Sequence, residues 1–120
     1  MHTDASAEFD PAAIDRIRRL GGDDLLRRVS VLFVETGRTR LVELALYVAT
    51  SDLTGMARTA HSMRGSAGNL GALELMRVAT DVELAATEAR TSDLPVLVAR
   101  LQAAMESATT HFGPPGPASP

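Results

Sequence analysis

The chain is predicted to fold as an all-α four-helix bundle with a short additional N-terminal helix. Three observations predict it. Apolar residues recur at helical spacing through most of the 120 residues, and no stretch alternates with period two. Short acidic or hydroxylic pairs, the usual helix N-caps, stand before the apolar stretches. Aromatic residues are 3% of a chain that is 45% hydrophobic, so the core must be built of Leu, Val, Ala and Met, which favours helix over strand.

Residues 1–8 are small and polar and are read as a flexible N-terminus. Asp10 is the N-cap of the short helix, with Pro11 at its first position and Phe9 placed to pack on Ile14 as a hydrophobic staple. That helix ends at Gly21-Gly22. Asp23-Asp24 then cap a long stretch whose stripe is Leu25, Val29, Leu32 and Phe33, continued past an expected kink at Gly37 by Leu41, Leu44, Ala45 and Val48. Ser51-Asp52 cap the next helix, which Asn69 and Gly71 suit as a C-terminus. Residues 72–90 carry Leu75, Val78, Ala79, Val82, Ala85, Ala86 and Ala89 at helical spacing. Ser92-Asp93 cap the last helix, with its near-heptad stripe of Leu94, Leu97, Val98, Leu101, Ala104, Met105 and Ala108. The tail at 113–120 is rich in Pro and Gly and is read as disordered, leaving 9–112 as one domain. Long amphipathic helices with short connections imply an up-down bundle.

Composition excludes several classes of function. A net charge of −3 with no Lys gives no footprint for nucleic acid. The absence of Cys removes disulfides, thiolate nucleophiles and Cys-based zinc sites. No apolar run approaches the roughly 20 residues needed to span a bilayer, and the N-terminus lacks signal-peptide character, so a cytoplasmic protein without a membrane partner is expected. Neither a phosphate-binding loop nor a glycine-rich kinase loop is present. His2, His61 and His111 are too scattered to read as a metal site, and His111 suits the negative end of the last helix dipole.

One histidine stands apart. At about 100° per residue, His61 falls roughly 130° from the centre of the stripe formed by Leu53, Met56, Ala57, Ala60, Met63, Ala67 and Leu70. It shares its outward face with Thr54, Arg58, Gly65 and Gly68. An exposed histidine on a solvated face is the ordinary reading of such a position. A solvated face, however, usually carries charged or amide side chains rather than two glycines, each of which costs a helix about 1 kcal/mol against alanine. The bare patch suits close approach by another protein's backbone to a nucleophilic imidazole, which in general is largely neutral near pH 7. Arg64 and Arg58, one turn on either side, can offset the charge of about −2 that a phosphoryl group brings, although both also fit ordinary helix-surface charge.

The run His61-Ser62-Met63-Arg64-Gly65-Ser66-Ala67-Gly68-Asn69-Leu70-Gly71-Ala72 resembles the signature of histidine-containing phosphotransfer (HPt) domains, H-x-L-K-G-[SA]-x-x-x-L-G. Phe9-Asp10, Leu20 through Asp23, Leu32-Phe33 and Glu83 are also similar to that family, over about residues 8–112. The resemblance implies an HPt-like bundle in which His61 accepts a phosphoryl group from the aspartate of a response-regulator receiver domain and passes it to another. Gly65 would keep the imidazole accessible and Gly68 would let the receiver's loops approach. Receivers or a hybrid histidine kinase are the implied partners. No cofactor is expected here, Mg2+ belonging to the receiver's acidic pocket. Met63 replaces the family's Leu, a tolerable core swap. Arg64 replaces its Lys, keeping the charge but presenting a planar fork.

Three functions compete: phosphotransfer without autonomous catalysis, a non-transferring module that docks and inhibits a receiver or kinase, and a hydrolase or metalloenzyme. The missing base, metal cluster and phosphate loop weigh against the third. A monomer is the expectation, although some bundles of this size pair through an apolar helix face. The capped start and Pro-rich end suggest an independent protein.

Overall fold

The computed structural model describes residues 8–113. The expectations for the two ends, at residues 1–7 with His2 and at 114–120, lie outside the described residues. Four helices follow in order: α1 (Pro11–Ala49), α2 (Leu53–Leu70), α3 (Leu73–Thr87) and α4 (Leu94–Phe112). There is no strand among the described residues. Each helix packs on the next and α4 closes on α1, giving the four-helix bundle.

The additional N-terminal helix is the first arm of α1, Pro11 to Leu20. Asp10 Oδ1 accepts from the Ala12 N–H at 3.0 Å as its cap. The break at Gly21-Gly22 stands where the two glycines predict it, with Gly22 at φ 70, ψ −167, a conformation open to glycine at little cost. Asp23, expected to cap the second arm, accepts from Arg18 Nε at 2.9 Å across the break.

Gly37 is not a kink, for only Gly21 and Gly22 leave helical geometry within α1. It is a buried close-packing point, where a Cβ would run into the Met105 side chain of α4. Leu32 and Val48 are 62% and 43% exposed, and Ala45 is exposed as well. The seam that α1 buries is narrower than the predicted stripe and runs through Ser30, Phe33, Val34, Gly37 and Leu44. α3 ends at Thr87, and Ala89, counted in its stripe, is exposed in the left-handed region at φ 54. Asp93 holds helical backbone angles (φ −85, ψ −22) and makes no side-chain cap; its Oδ2 accepts from Arg90 Nη1 at 3.2 Å.

The N-terminal segment ties the α2–α3 turn to the end of α4. The Asp10 N–H donates to the Gly71 carbonyl and the Leu73 N–H to the Glu8 carbonyl, both at 2.8 Å. The Phe9 ring, expected against Ile14, lies flat on His111 with centroids 3.8 Å apart. Phe112 meets both Phe9 and Phe33 edge-on, so the chain's three phenylalanines and His111 form one cluster at this end.

Candidate functional site

α2 is fixed at both ends before its surface is considered. The Asp52 side chain accepts from the Gly55 N–H at 2.9 Å at the N-terminus. At the other end Gly71, at φ 70, lets its own N–H reach the Gly68 carbonyl (3.3 Å) and the Ala72 N–H reach the Ala67 carbonyl (2.9 Å), a Schellman closure. Between these caps Met56, Ala60, Met63, Ala67 and Leu70 are buried. The opposite face carries Thr54, Arg58, His61, Gly65 and Gly68, all exposed. The side chain of His61 is 61% exposed.

α3 supplies the partner of that imidazole. Val82, Ala79 and Ala86 anchor the helix in the core, which leaves the half-buried Glu83 leaning toward α2. Glu83 Oε2 lies 2.9 Å from His61 Nδ1. Arg64 Nη2 also stands 2.9 Å from Nδ1, and its Nη1 is 3.4 Å from Glu83 Oε1. One ring nitrogen cannot both donate to the carboxylate and accept from the guanidinium. The carboxylate is an acceptor only and the guanidinium a donor only. The arrangement with least repulsion therefore has Nδ1–H donating to Glu83 while Arg64 pairs with Glu83. That leaves the lone pair on Nε2, the nitrogen away from this cluster.

Arg64 thus sits on the Nδ1 side of the ring, held by Glu83. Arg58 and Thr54 lie on the outward face one and two turns before His61, and no ion pair to Arg58 is formed among the described residues. Sequence patterning by itself does not mark Glu83; only the family resemblance points to it. The available signal was a carboxylate between the core positions Val82 and Ala85.

The glycines fall into two kinds. A Cβ at Gly55 would stand 2.5–2.7 Å from the Tyr47 ring, and one at Gly71 would stand 2.8 Å from the Asp10 carbonyl oxygen, so packing demands both. A Cβ at Gly65 would meet nothing within 4 Å, and one at Gly68 only Met76 Sδ at 3.5 Å, an ordinary contact. The fold does not require glycine at 65 or 68. These two lie on the helix face that carries His61.

No three His, Cys, Asp or Glu side chains converge as a metal site among the described residues. No described helix is long and apolar enough to cross a membrane. A groove of about 530 Å³ between the α1–α2 turn and the start of α4 is lined by Val48, Leu53, Met56, Leu94 and Val98 with Ser, Thr and Gln at its rim, and no acid or base faces it.

The bundle thus presents an exposed histidine paired with a carboxylate, with two bare glycines along one side of it. The chain belongs to the Hpt domain family, whose model matches residues 28–111. It is a histidine phosphotransfer protein of the phosphorelay type. Its fold is similar to the crystal structure of histidine-containing phosphotransfer protein B (HptB) from Pseudomonas aeruginosa PAO1, with a TM-score of 0.85 at 20% identity over 90% of this chain and 93% of that one. No curated protein matches the chain.

Proposed function

We propose that His61 Nε2 carries the phosphoryl group between response-regulator receiver domains. The observation that supports this most is the pairing of an exposed imidazole with Glu83 on its other nitrogen. In the step so read, the Nε2 lone pair attacks the phosphorus of a receiver's aspartyl phosphate. The Nε2–P bond forms, the aspartyl O–P bond breaks, and the aspartate leaves as carboxylate. The ring keeps its Nδ1 proton and becomes an N-phosphoryl imidazolium. Glu83 faces the positive charge that develops there, as a carboxylate behind a catalytic histidine does. Running the step backwards onto a second receiver returns the neutral ring.

Arg64 balances the charge of this cluster. It offsets Glu83 in the resting state, and with phosphate bound it adds a cation one turn from the anionic group. Arg58 extends the positive edge toward the start of α2, and Thr54 lies at that edge of the docking surface. Positioning a nucleophile supplies the proximity term of the rate, while the receiver supplies the electrophile and its Mg2+. The chain itself acts as carrier rather than autonomous kinase.

The reading is tested by mixing the protein with a receiver domain phosphorylated with radioactive phosphate. Label that moves to this chain and is lost in acid but kept in base supports phosphohistidine. Tight binding without any transfer of label would favour the docking-and-inhibiting module instead.

A further inference from the structure

Along the α3 side of the glycine face the surface sinks into a depression of about 330 Å³, lined by Arg64, Met76, Arg77, Thr80 and Asp81. Its polar groups are largely committed elsewhere. The Thr80 hydroxyl donates to the Met76 carbonyl at 2.8 Å. Arg77 Nη2 donates to Glu74 at 2.9 Å, and Arg64 is held at Glu83. The depression therefore offers a thioether and the aliphatic stems of two arginines. Asp81 is the exception: it is exposed and has no ion pair among the described residues.

The depression is continuous with the bare face, since the space a Gly68 Cβ would take is bounded by Met76 Sδ at 3.5 Å. It is also adjacent to the reacting ring, because Arg64 lines the one and touches the other. Even a transient complex burying about 1,200 Å² in total covers about 600 Å² on each partner, a disc of about 14 Å radius. Centred on His61, such a disc takes in the depression. Concave spots with apolar floors inside an interface are where anchoring side chains concentrate their binding energy.

Resting on the phosphotransfer reading above, we propose that this depression seats an apolar side chain from the docking face of the receiver domain, with Asp81 pairing with a basic residue beside it. It is a determinant of which receivers exchange phosphate with this chain. It takes no part in the bond-making at His61.

The test varies receiver concentration in the transfer reaction for the parent, Thr80→Trp, which fills the depression, and Asp81→Arg, which reverses the charge at its rim. Asp81 is exposed, so that variant keeps the test open if the tryptophan is not accommodated. Phosphoramidate serves as a second donor that needs no docking face: its N–P bond breaks, ammonia leaves and the bond to Nε2 forms. The expected result is a KM for the receiver raised about tenfold, with kcat and labelling by phosphoramidate as in the parent. Folded variants with unchanged KM would overturn the depression as a docking site and leave phosphotransfer standing. A parent that accepts phosphate from neither donor would sink both.

Discussion

His61 Nδ1 and Glu83 Oε2 stand 2.9 Å apart across the packed α2 and α3 helices. That contact leaves the Nε2 lone pair free and places a carboxylate behind the ring. Replacing Glu83 with Leu keeps the helix and removes the acceptor. Nitrogen NMR of His61 is then expected to show a larger share of the Nε2–H tautomer. Transfer should slow about tenfold, the kinetic equivalent of the lower end for a hydrogen bond to a charged group, since the ring is well exposed. An unchanged tautomer and rate would remove Glu83 from the mechanism.

The two kinds of glycine should respond oppositely to the same change. Gly65→Ala adds a methyl to open space on a helix, and denaturant unfolding is expected to show a gain of roughly 0.5–1 kcal/mol. Gly55→Ala drives its methyl into the Tyr47 ring and should lose about 1–3 kcal/mol. A longer side chain on the bare face, Gly68→Gln, should leave stability at least unchanged while slowing transfer from a receiver. Unimpaired transfer by Gly68→Gln would show that the patch is not a docking surface.

Arg64 is where this chain departs from the family residue in chemistry. Its guanidinium reaches the imidazole with one nitrogen and Glu83 with the other, a span suited to a planar fork. Arg64→Lys keeps the charge and should retain most of the transfer rate. Arg64→Ala leaves the buried Glu83 Oε1 without its cation and should cost about tenfold or more. Rates measured side by side check this; equal rates for the two variants would show that charge at this position does not matter.

Much of the bundle was legible because its signals are local. Asp10, Asp52 and Gly71 cap where their residue types predict, and the Gly21-Gly22 break falls on the glycines. The outward placement of His61 followed from helical phase alone. Phase says less for α1, where apolar residues ring more of the helix than it buries, so the helical stripe takes in Leu32 and Val48 although both are exposed. Gly37 shows a related limit. A glycine's propensity is visible in sequence, but whether it bends the helix or admits Met105 depends on a neighbour 68 positions away. Glu83 and His61 meet for the same kind of reason: periodicity orients each helix, while the register between α2 and α3 is set by packing across them.

Removal of His61 tests most directly whether the phosphoryl group sits on that ring. His61→Gln removes the nucleophile at an exposed position, so circular dichroism should show a helix content equal to the parent's. Incubated with a phosphorylated receiver, the parent is expected to take up acid-labile label and His61→Gln none. A folded His61→Gln labelled as strongly as the parent would place the phosphoryl group on another residue.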